Sequence, residues 1–195
     1  TDLPPAIVWF RQDLRLADNP ALHAAIASRA PIVPLFVLDD EAAGAWKHGG
    51  ASRWWLHKSL EALSADLAKR GSKLILRRGR AEQVLAKIVD EIGARTVLWN
   101  RLYEPWATAR DTKIKDALKA RGIGVHSFNG SLLKEPWEVK TGGDGPFKVF
   151  TPFWRAASSA LEPGEVLAAP KGVPAPDAWP NSDALGSWKL LPVKP

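Results

Sequence analysis

At 195 residues the chain can bury one hydrophobic core, and a composition 46% hydrophobic and 25% charged excludes a disordered or fibrous protein. The absence of cysteine excludes disulfides, thiol catalysis and cysteine metal sites, and the four histidines, at 23, 48, 57 and 126, lack zinc-ligand spacing. A net charge of +6 with a pI near 9.7 suits a nucleic-acid partner, but the basic residues are dispersed, as on a solvated surface, rather than clustered.

The run Ala6-Ile7-Val8-Trp9-Phe10 is short, apolar and rich in β formers, and it stops at Arg11-Gln12-Asp13, which predicts a buried strand feeding a polar loop. Asn19 and Pro20 then supply a helix cap and a first-turn proline ahead of residues 21–27. Ile32-Val33-Pro34-Leu35-Phe36-Val37-Leu38 reads as a second strand closed by Asp39-Asp40, with Pro34 expected near its start or at a bulge. Between residues 52 and 70 the positions Trp55, Leu56, Leu60, Leu63 and Leu67 recur at helical spacing, and Gly71 sits where a left-handed C-terminal residue belongs.

Residues 73–76 are predicted as a third strand, 81–92 as a helix ended by Gly93, 96–99 as a fourth strand, 106–121 as a helix ended by Gly122, and 123–128 as a fifth strand. Strands alternating with helices imply an α/β fold: a doubly wound, five-stranded parallel sheet of Rossmann-like type with helices on both faces. Ligands of such sheets lie beyond the carboxyl ends of the strands where the strand order reverses, here the loops after Phe10, Leu38 and Trp99. Residues 151–161 are expected to form a short helix after a turn-rich Gly142–Gly145 segment, and the Pro/Ala/Gly-dense stretch from about Pro163 is expected to be an unstructured linker. The absence of any apolar run of ~20 residues, or of a signal-peptide pattern, leads to the expectation of a cytoplasmic protein with no membrane partner.

Arg11, Asp13 and Arg15 alternate after the first strand, so in an extended loop they would point the same way, either toward a polar ligand or into an Arg–Asp pair that fastens the loop. Asp39, Arg53 and Glu104 are expected to converge on one crevice, and Arg53, unfavourably placed at a helix N-terminus, requires an acidic partner or a ligand. Trp54, Trp55 and Trp106 are candidates for an aromatic wall, or for core. No Gly-Lys-Ser/Thr loop and no Gly-x-Gly-x-x-Gly occur, which argues against an ordinary nucleotide site, and no nucleophile–base pairing stands out.

The segment Val8-Trp9-Phe10-Arg11-Gln12-Asp13-Leu14-Arg15-Leu16-Ala17-Asp18-Asn19-Pro20-Ala21-Leu22 resembles the opening of DNA photolyases and cryptochromes. The resemblance continues through Pro34–Asp39, Trp99-Asn100, Tyr103-Glu104-Pro105, Arg110-Asp111 and Phe147-Lys148-Val149-Phe150-Thr151-Pro152-Phe153, spanning residues 6–161. It implies a light-harvesting antenna domain in 1–135, a family-specific loop and short helix in 136–161, and in 162–195 a linker toward a C-terminal helical domain outside the chain. In the family that helical domain holds FAD and docks damaged DNA for light-driven repair of cyclobutane pyrimidine dimers, so the resemblance implies no catalytic residue here.

By the same resemblance Arg11, Asp13, Phe36, Val37, Leu38, Asp39, Arg53 and Glu104 surround an antenna chromophore, with Trp54 and Leu102 as linings. The chromophore implied is methenyltetrahydrofolate, 8-hydroxy-deazaflavin or FMN. Trp106-Ala107 stands where folate-binding relatives carry Asn-Glu, and Leu102 where deazaflavin binders often carry Asp. A cryptochrome receptor domain and a docking module with an empty pocket are the alternatives, and exposed Phe147, Phe150, Phe153 and Trp154 would favour docking onto the helical domain.

Overall fold

The computed structural model describes residues 3–162 and 164–192. Its elements in chain order are β1 (Ala6–Phe10), α1 (Pro20–Ala27), β2 (Ile32–Leu38), α2 (Gly50–Ala68), β3 (Ile75–Arg78), α3 (Ala81–Ile92), β4 (Thr96–Asn100), α4 (Pro105–Ala120), β5 (Gly124–Phe128) and α5 (Phe150–Ser159). All strand pairings are parallel and the strand order is β3-β2-β1-β4-β5, so the chain winds outward from β1 in one direction and then in the other.

Strand alternation divides the core into two layers. Ala6, Val8 and Phe10 of β1, with Ile32, Phe36 and Leu38 of β2, pack against Leu22 and Ala25 of α1 and Leu56, Leu60, Leu63 and Leu67 of α2. Ile7, Trp9, Val33, Leu35 and Val37 point the other way, onto Leu85 and Ile88 of α3 and Ile114 and Leu118 of α4. Burial on both faces explains why β1 and β2 are apolar at every position rather than at every second one. The Asn19 side chain accepts from the Leu22 amide, as the sequence suggests, and Gly93 closes α3 at φ 63°, a conformation that disfavours a side chain.

Pro34 lies inside β2 without a bulge, paired with Val8 of β1. Alternation turns its nitrogen to the same side as that of Ile32, whose amide donates to the Pro174 carbonyl 2.8 Å away. On that side β3 starts only opposite Leu35, so no ladder bond is lost at Pro34.

β3 runs two residues later than expected because Arg77 and Arg78, which read as loop, continue the strand at the sheet edge, where charged side chains are tolerated. The expected linker is a larger correction. Pro163, where it was expected to begin, and residues 193–195 lie outside the described residues, but 164–192 form a strap bound to the body. Val173 donates to Arg70 O at 3.1 Å, and Asp183 donates to Leu76 O at 2.8 Å. The Leu76 amide donates to Ser182 Oγ at 2.9 Å, so the strap covers part of the exposed edge of β3. Val173, Trp188 and Leu190 join the α1/α2 core layer, with the Trp188 ring 6.1 Å from Phe36.

Candidate functional site

The reversal of strand order between β1 and β4 opens a cleft at the carboxyl ends of β1, β2 and β4, as expected for this architecture. Its main cavity, about 730 Å³, is bounded by Phe36, Val37 and Leu38 of β2, Trp55 and Leu56 of α2, and Leu102 and Trp106 on the α4 side. A neighbouring cavity of about 610 Å³ is bounded by Asp40, Trp46, Lys47 and Glu104. Gln12, Asp39, His48 and Trp106 border both cavities, which makes them one continuous cleft. Such dimensions match small-molecule sites, and the mixture of flat aromatic walls with a few polar groups suits a planar heterocycle.

Of the residues expected at the site, Phe36, Val37, Leu38, Asp39, Leu102 and Arg11 border the main cavity and Glu104 the adjoining one. Glu104 precedes the first residue of α4, and its Oε1 accepts from Gln12 Nε2 at 3.2 Å, which ties the first loop to this wall. Asp39 is largely committed to backbone: Oδ1 accepts from the Glu41 and Ala42 amides at 3.1 and 2.9 Å, and Oδ2 from the Ala81 amide at 2.9 Å. It shapes the loop and caps α3 while bordering the cleft.

Three expectations are corrected. Arg11 and Arg15 both border the main cavity, but Asp13 does not join them, because the loop turns: Asp13 Oδ1 accepts from the Arg11 amide at 2.7 Å and Oδ2 from Asn100 Nδ2 at 2.6 Å, directing the carboxylate inward. Arg15 donates to the carbonyls of Asp18 and Gly130, at 3.0 and 2.6 Å. Arg53 borders neither cavity; it donates to Asp40 Oδ1 at 2.7 Å and to the His48 carbonyl at 3.0 Å, so its helix-terminal charge is met by an internal ion pair that anchors the 39–49 loop.

Trp54 also misses the cleft, whereas Trp55 and Trp106, the other indoles expected as an aromatic wall, border it. Helical phase decides this: Ser52, Trp55, Leu56 and Ser59 form the i, i+3, i+4, i+7 stripe of α2 that faces the cleft, and Trp54 falls off it. That spacing was present in the sequence. Gln12, His48 and Arg110 were missed as well, although Gln12 lies in the loop after Phe10 where ligands of such sheets bind.

Beneath the cleft lies a buried polar cluster. The Arg11 guanidinium donates to Asp111 and to the Asn100 carbonyl, and Arg110 grips the other oxygen of Asp111 through Nε at 3.0 Å and Nη2 at 2.8 Å. Burial pulls the Arg11 pKa down, and Asp111 opposes that by favouring the charged form. Beside β4, Arg101 and Tyr103 both donate to Glu135 Oε1, at 2.6 and 3.0 Å, pinning the 129–138 loop. Burial, more than the Glu135 carboxylate, raises the Tyr103 phenol above its ordinary pKa, and Arg101 counteracts them.

An open α/β sheet with an aromatic cleft at its switch point defines the class as a doubly wound α/β domain. The family described as DNA photolyase matches residues 6–177, and the chain belongs to it. It is 47% identical over 191 residues to the deoxyribodipyrimidine photo-lyase of Agrobacterium fabrum, covering 98% of this chain and 39% of that protein. It is 43% identical over 170 residues to Cryptochrome-1 of Arabidopsis thaliana, covering 86% of this chain and 25% of that protein. The crystal structure of a class III photolyase from Agrobacterium tumefaciens superposes with a TM-score of 0.93 at 46% identity, covering all of this chain and 40% of the other. The chain thus corresponds to the N-terminal α/β domain of photolyases and cryptochromes and spans about two fifths of the photolyases it matches. Among the described residues, no helix is long and apolar enough to cross a membrane.

Proposed function

We propose that this chain is the antenna domain of a light-driven deoxyribodipyrimidine photolyase and that the cleft at the ends of β1, β2 and β4 holds its chromophore. The observation that carries the reading is the cleft itself, with Trp55 and Trp106 among its apolar walls and Glu104, Gln12 and Lys47 along its polar side. A planar conjugated ring buries its faces against indole and aliphatic side chains, while its donor edge and any charged tail require polar partners. These residues fit such a group. When bound, it would absorb light and pass the excitation to a flavin.

Leu102, Trp106 and Phe36 would hold the ring, Glu104 would accept from its N–H donors, and Lys47 and His48 would meet an anionic tail. Methenyltetrahydrofolate, 8-hydroxy-deazaflavin and FMN all have a planar ring with an N–H donor; the folate glutamate and the FMN phosphate are anionic tails, and the deazaflavin carries a neutral ribityl chain. Arg11, Asp13, Asp39 and Arg53 support the loops rather than touch the ring. Residues 1–135 would form the antenna domain, 136–161 an appended loop and helix, and 162–195 the path to a helical domain holding FAD and damaged DNA, in the cytoplasm.

Docking onto that helical domain is favoured by α5, whose residues 150–159 include none that is buried. Phe150, 70% exposed, stacks on exposed Trp154 with ring centroids 6.3 Å apart, and Phe147 and Phe153 pair beside them. Exposed aromatic side chains clustered on one face in this way are the kind of surface that a partner covers. Fluorescence titration of the chain with the three chromophores tests the central reading. One should bind saturably at a single site and be lost in Leu102→Arg, which fills the cleft, and weakened in Glu104→Ala; equal binding by the variants would place the site elsewhere.

A further inference from the structure

The indoles around the cleft are of two kinds. Trp106, Trp9 and Trp99 form an alternating ladder with cations. Arg110 lies 5.0 Å from the Trp106 ring and 4.9 Å from that of Trp9. Arg11 follows, 4.8 Å from Trp9 and 5.9 Å from Trp99, and Lys115 closes the series 5.8 Å from Trp99. Trp55, on the opposite wall, and Trp46, on the 39–49 loop, have no cation stacked on them among the described residues and are 68% and 82% exposed.

A cation held against an indole stabilises the neutral ring through its quadrupole and opposes removal of an electron from it. Asp111 and Asp13 offset part of this charge, but three cations along the ladder leave it positive. A second observation points the same way. The Nε1 atoms of Trp9 and Trp99 are buried without a hydrogen-bond acceptor, so an oxidised ring could not shed its proton to a neighbour.

We propose that Arg110 and Arg11 guard the excited state of a light-absorbing ligand in this cleft, by preventing Trp106, Trp9 and Trp99 from giving it an electron. This rests on the antenna reading above. An indole that surrenders an electron ends the excitation, because charge recombination releases the energy as heat before it can be passed on. Side chains that wall a site of light absorption with aromatic surface therefore need electrostatic protection, and the ladder supplies it on the β1/β4/α4 side.

A fluorescent label tests this without the natural ligand. The chain has no cysteine, so Gln12→Cys, at the junction of the two cavities, takes a single thiol-reactive bimane. Excited bimane takes one electron from a nearby indole, giving a bimane radical anion and an indole radical cation, and the electron then returns without emission. The excited-state lifetime is read in a Trp46→Phe/Trp55→Phe background, with circular dichroism confirming the fold.

Arg110→Gln should shorten the lifetime about twofold or more, since the cation on Trp106 and one of the two on Trp9 are removed. Adding Trp106→Phe should restore it, and Arg110→Lys, which keeps the charge, should preserve it. In the parent, Trp106→Phe should change nothing, whereas restoring Trp55 should shorten the lifetime. The proposal is overturned if Arg110→Gln leaves the lifetime unchanged, if Arg110→Lys behaves like Arg110→Gln, if Trp106→Phe lengthens the parent lifetime, or if Trp55 quenches no more than Trp106. Because the label stands in for the ligand, this result is independent of the chromophore titration, and either reading can fail alone.

Discussion

Replacing Asp111 by Asn tests whether the cluster beneath the cleft is energetically coupled. Asp111 is buried and bonds Arg11 through one carboxylate oxygen and Arg110 through the other. The amide is nearly isosteric but uncharged, so two guanidinium groups are left without their shared anion, one of them with a side chain only 5% exposed. Removing one partner of a buried pair costs about 3–5 kcal/mol, because the remaining charge stays desolvated. Arg11 keeps the Asn100 carbonyl and its contacts with Trp9 and Trp99, which places the expected loss at the lower end of that range. With a urea m-value of about 2 kcal/mol/M, a loss of about 3 kcal/mol lowers the unfolding midpoint by about 1.5 M at constant m. Asp66→Asn breaks the exposed pair with Lys69 and serves as the control, expected to cost under about 0.5 kcal/mol. A shift for Asp111→Asn no larger than that of the control would refute the argument that this pair is a buried, coupled one.

Trp188→Ala removes a 5% exposed indole from the strap's contact with Phe36 and should destabilise the chain by about 3 kcal/mol in the same assay, where a free linker would give no change. A Cβ at Gly130 would lie 2.7 Å from both Cβ and Cγ of Asn100, so Gly130→Ala should cost about 1–3 kcal/mol by displacing a side chain that bonds Asp13, Asn19 and the Ala21 amide; a neutral result in thermal unfolding would contradict the packing. Tyr103 is the single tyrosine, so absorbance near the tyrosinate band titrates it alone; its midpoint should lie above the ordinary value of about 10 and fall in Glu135→Gln. Because the folded-state value is raised, the stability linked to this proton is fully present below the unfolded value and is lost as pH rises through the folded one, a loss that Tyr103→Phe should abolish.

The sheet and its switch point were legible in the sequence because apolar runs at β1, β2 and β4 alternate with helices ended by Gly71, Gly93 and Gly122, all at positive φ. The cleft could be located from that topology alone. The detail that escaped depends on contacts without periodicity. The strap is held by three separated apolar side chains and a few backbone bonds, so its composition reads as linker while its energetics are those of core. The pattern left Asp13 and Arg53 open between an internal partner and a ligand, and the family resemblance placed them at the ligand; the partners are the Arg11 amide and Asn100 for one and Asp40 for the other. Trp55, already on the apolar stripe with Leu56, Leu60 and Leu63, borders the cleft, whereas Trp54, placed there by resemblance, lies one residue and about 100° out of phase.

The central claim is that the cleft between Trp55 and Trp106 is a chromophore site, and a crystal structure of the chain with its tightest-binding chromophore tests it most directly. The account predicts the ring packed against Leu102 and Trp106, with Glu104 at its donor edge. A ring bound outside this cleft would contradict it.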